Sequence, residues 1–222
     1  MLLAIDTSTA RLGLALYDGA QVNGELTWTS SARHTQELAP AVSGLLERVG
    51  VQISAIQCLG VAIGPGSFTS LRVGLAFVKG MALARRIPIV GIPTLDVTAA
   101  SVPVGERRLA AVLQAGRGKL AVVWYRPGES GWIAEGVAVV ATAEEIEQMI
   151  HKPTIVCGEM TAEERQHLAR RYKNVILASP AQCVRRPGLL AEMAWNRWQT
   201  GQVDTPASLA PIYLHTAGGP PA

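Results

Sequence analysis

The chain has 222 residues, of which 49% are apolar and 17% charged, and its formal net charge is +3. That length allows one or two domains, and an apolar content this high with so little charge excludes a disordered chain. The paired arginines at 85–86, 107–108, 170–171 and 185–186 have no interleaved aromatic residues, so they read as solvated surface rather than as a nucleic-acid footprint.

In chain order, the opening MLLAIDTS lacks a basic run and turns polar after five residues, the pattern of a strand and not of a signal peptide. Strands are predicted over 2–6, 12–17 and 22–28. Leu38, Val42, Leu45, Leu46 and Val49 then fall on one face of a helix over 35–49, with Pro40 near its first turns, where a missing N–H costs least. A buried strand over 58–63 leads into GPGSFTSLRVG at 64–74. The helix that follows, over 69–84, is apolar on most sides, which predicts that most of its sides are covered. IPIVGI at 87–92 reads as a strand and 94–101 as a helix. No apolar run approaches the ~20 residues that span a bilayer. Cys58, Cys157 and Cys183 are odd in number and form no CxxC pair, the usage of reduced thiols in a soluble cytoplasmic protein.

The chain then shows a repeated pattern. IDTSTARLGLALY at 5–17 aligns without a gap on LQAGRGKLAVVWY at 113–125, each read as strand, polar turn, strand, with a glycine turn after it. Two readings stand: chance likeness of two hairpins, or an internal duplication with its break in the loop-like SVPVGER at 101–107. The second half continues as helix 143–150, strand 154–157, helix 161–171, strand 174–177 and helix 187–200, with a frayed tail after Gly218. Strands alternating with helices give an α/β fold.

The candidate chemistry is thin. Asp6, Thr7, Ser8 and Thr9 end the first strand, where a carboxylate, hydroxyls and free N–H groups can hold Mg²⁺ and phosphate, or can simply satisfy a turn. Gln114 stands at the matching place in the second copy and supplies no second anionic ligand. Gly64, Gly66 and Ser67 form a turn at the C-terminal end of a buried strand, where open α/β sheets place ligands. Ser67 or Thr69 can cap the helix beyond it. No Walker loop occurs, no GxSxG elbow, and no two histidines lie three to five apart. His34, at a helix start, reads as a capping or surface residue before a catalytic one.

The runs AIDTST, RHTQELAPAV, GPGSFTSLRVGLAFVKGMALARRIPIVGIPTLD and PASLAPIYLHT resemble the TsaB (YeaZ) family over about the whole chain. The resemblance implies a duplicated fold like that of actin, sugar kinases and Hsp70, which is ribonuclease H-like, with lobes over 1–102 and 103–222. It also implies a non-catalytic partner in making N6-threonylcarbamoyladenosine at position 37 of tRNAs that read ANN codons. The implied associates are the catalytic paralogue TsaD, the ATPase TsaE, a second copy of the chain when the paralogue is absent, and tRNA only through the complex. No membrane and no cofactor are implied, beyond weak nucleotide binding in a vestigial cleft. Catalytic relatives carry an HxxxH metal pair where Thr94 and Thr98 stand here. The family usually has glycine where this chain has Ser70, and often Asp-Ala-Arg near Gln114–Arg117.

The same resemblance places the partner contact on helices 35–49 and 69–84. The candidate contact residues are Leu38, Val42, Leu45, Leu71, Arg72, Gly74, Leu75, Val78 and Lys79, with Gly74 and Gly80 small enough to admit another helix. Asp6, Thr7, Ser8, Gly64, Gly66 and Ser67 are then a vestigial phosphate site. Competing readings are a nucleotide-dependent kinase or ATPase that uses Asp6, and a glycoprotease-like metallopeptidase, which the missing histidine pair opposes.

Overall fold

The computed structural model describes residues 1–31, 33–171 and 173–214. Its first sheet is built from β1 (Leu2–Asp6), β2 (Arg11–Tyr17) and β3 (Val22–Thr29), followed by helix α1 (His34–Val49), then β4 (Cys58–Ala62), helix α2 (Phe68–Arg85) and β5 (Ile89–Ile92). The strand order is β3-β2-β1-β4-β5. The first two pairings are antiparallel, and those of β1 with β4 and β4 with β5 are parallel. Alternation decides the layers. Leu3 and Ile5 of β1 face a core shared with Leu38 and Val42 of α1 and Leu75 and Val78 of α2, whereas Leu2 and Ala4 face the other way.

Helix α3 (Thr94–Ala100) follows, and the chain then starts a second sheet. This contains β6 (Arg108–Gly116), β7 (Lys119–Pro127), β8 (Trp132–Ala134), β9 (Val139–Ala141), helix α4 (Ala143–Met149), β10 (Thr154–Gly158), helix α5 (Ala162–Arg171) and β11 (Val175–Leu177). The order β11-β10-β6-β7-β8 mirrors the first sheet strand for strand, with the same pattern of parallel and antiparallel pairs and with β9 added on β7. The duplication is therefore real at the level of topology. The ungapped alignment is not. Ile5 pairs with Leu14, but Leu113 pairs with Ala121, so the second hairpin is one residue tighter and only one of its two strands can be in register at a time.

The boundary between lobes differs from the expected 1–102 and 103–222. One compact unit holds residues 1–97 and 186–212, and the other holds 98–185 with the described residues 213–214. The last helix, α6 (Pro187–Gln199), belongs to the first unit rather than the second. Its apolar side, Leu190, Ala191 and Ala194, closes on Leu2, Ala4, Cys58 and Val90, on the face of the first sheet that α1 and α2 leave uncovered. Gly60 permits this approach, since a Cβ there would lie 2.8 Å from the Ala194 methyl. Pro187 takes the first turn, as its missing N–H suggests. Pro40 lies in the second turn of α1, which begins at His34, among the first turns as expected. No described helix is long and apolar enough to cross a membrane. The three cysteines are free, with Cys58 and Cys157 buried. The tail after Gly218 lies outside the described residues.

Candidate functional site

The loop after β1 and the loop after β4 meet, and they meet by bonding to each other. The Ser67 N–H donates to the Ser8 carbonyl at 2.7 Å, and the Thr7 hydroxyl donates to the Ser70 carbonyl at 2.7 Å. A Cβ on Gly66 would overlap the Ser8 carbonyl oxygen, so glycine is required there for close approach. Gly64 has φ +105°, in the region that favours glycine, and its open side is taken by the Ile212 carbonyl. The Ser8 N–H donates back to Asp6 Oδ1 at 2.8 Å, closing a tight turn. Asp6, Thr7 and Ser8 are all buried. Asp6 and Thr7 thus bond backbone groups of the two loops, as a turn-satisfying role requires. Ser67 caps α2, with its hydroxyl accepting from the Ser70 N–H.

Thr94 extends the same network. Its fully buried hydroxyl lies 2.7 Å from Ser8 Oγ and accepts the Gly64 N–H at 3.0 Å. It thereby ties the start of α3 to both loops. Thr98 is likewise buried. His34 is not a surface residue. It is buried and its Nε2 sets a hydrogen bond of 3.0 Å with the Thr9 carbonyl, anchoring α1 to the β1–β2 turn. Glu37, one turn on, accepts the Trp28 indole N–H at 2.8 Å, which holds its carboxyl below the usual range. In the second unit, Gln114 is engaged by Glu164 at 2.6 Å, and Glu164 also caps α5. Among the described residues no three His, Cys, Asp or Glu side chains are placed to hold a metal.

The helical candidates divide sharply. Leu38, Val42, Leu45, Leu71, Leu75 and Val78 belong to the chain's own core, each at most 4% exposed. They are corrected from contact residues to core residues, since the sheet face itself consumes them. Gly74 also faces inward, where a Cβ would collide with the Thr7 side chain. Arg72 is exposed and Lys79 half-buried. What remains outside is a different stripe of α2. It runs through Phe68 (53% exposed), Arg72, Ala76, Gly80 and Leu83 (66% exposed). Between this stripe and α1 lies a groove of about 510 Å³, floored by Leu38 and walled by Ala39, Val73, Ala76 and Phe77. The buried residues Leu71, Leu75, Val78 and Ala82 recur at helical spacing, but the outer face carries Phe68 and Leu83 as well, so apolar content along α2 does not by itself separate the two faces.

The sequence profile of the family described as "TsaD: tRNA N6-adenosine threonylcarbamoyltransferase" matches residues 27–181. A protein of Escherichia coli (strain K12) named tRNA threonylcarbamoyladenosine biosynthesis protein TsaB is 30% identical over 154 residues, covering 68% of this chain and 66% of that protein. The chain belongs to the TsaB (YeaZ) family. The Bacillus subtilis (strain 168) TsaB is 31% identical over 125 residues, 56% of this chain and 55% of its own length. The matched stretches thus span about two thirds and about half of these two TsaB relatives. YeaZ from Pseudomonas aeruginosa superposes with a TM-score of 0.78 at 24% identity, over 96% of this chain and 99% of that one. The chain therefore has the duplicated actin-like fold of YeaZ, with its strand-end loops closed on each other.

Proposed function

We propose that the chain serves the formation of N6-threonylcarbamoyladenosine at position 37 of tRNAs that read ANN codons, as a non-catalytic subunit. In this reading it docks through α1 and α2 onto a catalytic paralogue of the TsaD type, which a TsaE-type ATPase joins. It pairs with a second copy of itself when the paralogue is absent. It works in the cytoplasm, holds no cofactor of its own and meets tRNA only through the complex.

The observation that carries the reading is the clasp between Ser8 and the Gly66–Ser67 turn. In an enzyme of this fold that uses ATP, strand-end loops receive the phosphates. Here the Ser8 carbonyl fills the space between them, and a carbonyl facing inward repels an anion. The biosynthetic names of the E. coli and B. subtilis relatives support the pathway. The open groove supports docking: an interface of about 800 Å² per partner with an apolar centre is ordinary for a stable pair.

The test is reconstitution. Modification activity on a suitable tRNA should require this chain together with the paralogue, and this chain alone should show none. The competing ATPase reading is separated by calorimetry with Mg·ATP on the isolated protein. Micromolar binding together with hydrolysis that disappears in Asp6→Ala would replace the proposal. Turnover by the isolated chain with a stoichiometric transition metal would instead favour the metallopeptidase.

A further inference from the structure

The hairpin of β6 and β7 ends in a turn that the chain's own packing does not explain. Gly116 pairs with Lys119, which leaves Arg117 and Gly118 as a two-residue loop. Both have left-handed backbone, with φ of +56° and +69°. A turn of this kind favours Asn-Gly, since asparagine tolerates that region and most side chains do not. Arginine there costs stability, and no contact inside the chain offsets the cost. Among the described residues no hydrogen bond, ion pair or ring contact engages the Arg117 or Lys119 side chain, and both residues are exposed.

The turn also stands clear of its sheet. β10 accompanies β6 only as far as Val112, and β9 accompanies β7 only from Leu120, so the ribbon over 113–119 has no strand beside it. Gly116 and Gly118 have nothing within 4 Å of where a Cβ would lie, which leaves their backbone open to another molecule. No Asp or Glu occurs between Leu113 and Ala121. At the base of the ribbon, Glu164 is already engaged by Gln114 and by the first turn of α5.

We propose that this tip touches the phosphate backbone of RNA through Arg117 and Lys119. The inference rests on the function proposed above for the identity of the RNA, and it adds a contact surface on the second unit. The chemistry of the tip selects the partner. A stable protein interface has an apolar centre, and between its cations this tip offers none. A phosphate contact needs cations and an approachable backbone, and it makes no demand on base sequence. The planar guanidinium of arginine suits a phosphate especially well. Two cations release too few counterions to hold RNA unaided, so the contact operates within the complex and not in the isolated chain.

The experiment measures tRNA binding by the reconstituted complex across a range of salt, with modification kinetics and co-purification beside it. Arg117→Glu with Lys119→Glu is expected to weaken tRNA binding about tenfold or more at low salt and to reduce the slope of log K against log salt by about 1.5. It should raise KM for tRNA more than it lowers kcat, and should co-purify with the paralogue as wild type does. Arg117→Asn separates contact from folding. It relaxes the turn, so it should melt at or above the wild-type temperature and still bind tRNA several-fold more weakly. If the double reversal fails to fold, Arg117→Asn with Lys119→Gln takes its place, with a smaller loss of the same kind. Variants that keep the affinity and salt slope of a wild-type complex active on tRNA overturn this inference alone. An Arg117→Asn chain that melts well below wild type gives the arginine a structural role and also overturns it. Loss of co-purification in the charge variants assigns the tip to an acidic protein surface, with the same consequence. A wild-type mixture that neither binds nor modifies tRNA brings down the proposed function, and the inference with it.

Discussion

Gly66 and Ser8 share one volume: the space that a side chain on Gly66 would need is filled by the Ser8 carbonyl, which accepts the Ser67 N–H at 2.7 Å. The obstruction is backbone on both sides, so neither can yield as a flexible side chain would. Gly66→Ala should therefore separate the loops and cost about 3 kcal/mol, in the range of core overpacking. Denaturant unfolding measures this. A variant as stable as wild type would show that the clasp is loose, and would reopen the loops as an anion site.

The two faces of α2 should respond oppositely to the same charge. Leu75→Asp or Val78→Asp buries an unpaired carboxylate in the first core and should cost about 4 kcal/mol or more, enough to unfold a domain of ordinary stability. Ala76→Asp, one residue from Leu75 but exposed, should change stability by no more than about 1 kcal/mol. Its effect should appear instead as loss of co-purification with the paralogue. Thermal melts run beside pull-downs distinguish the cases, and a folded Val78→Asp that still binds would refute the assignment of faces.

Acid should loosen the joint where the chain re-enters the first unit. Glu25 is half-buried, which alone would raise its pKa above 4.5, but the Arg186 guanidinium and the Gly188 N–H at 2.9 Å outweigh burial and hold it lower. A carboxyl depressed on folding contributes stability that is complete above its unfolded pKa and is lost as pH falls through the folded one. The contribution should thus be intact at neutral pH and fade below about pH 4.5. Glu25→Gln should be less stable at pH 7 and show a flatter decline in acid. Parallel declines in variant and wild type would remove Glu25 from this role.

The buried thiols should be inert until the chain unfolds. Burial pushes the Cys58 thiol up to about 12 and pushes the Cys157 thiol higher than its ordinary value as well. Alkylation of the native protein at pH 8 should spare both, leaving Cys183 as the one half-buried cysteine open to reagent. All three should react in denaturant. Rapid native labelling of Cys58 or Cys157, mapped by mass spectrometry, would show that the corresponding core opens on that timescale.

Much of the fold was legible because it rests on local pattern. Strand and helix positions followed from periodicity and turn residues, and the repeat of hairpin, helix and strand announced two matching sheets. The fate of α6 was not legible in that way. Its apolar side suits any uncovered sheet face, and chain order assigned it to the lobe it follows, whereas packing against Gly60 and Ala4 assigned it to the lobe it returns to. The two strand-end loops stood out in the sequence, but that they bond to each other depended on residues 8 and 66 meeting in space.

By itself, then, the amino-acid sequence determined the α/β class, the absence of a histidine pair at Thr94 and Thr98, and an α2 too apolar to be ordinary surface, and it offered the duplication as one of two readings. Only the tertiary structure decided which side of α2 the chain keeps and which it offers. The reason is physical. Periodicity reports that a helix has apolar faces, but burial is a sum over contacts from distant segments. The sheet took Leu71, Leu75 and Val78, and left Phe68, Ala76, Gly80 and Leu83 facing outward.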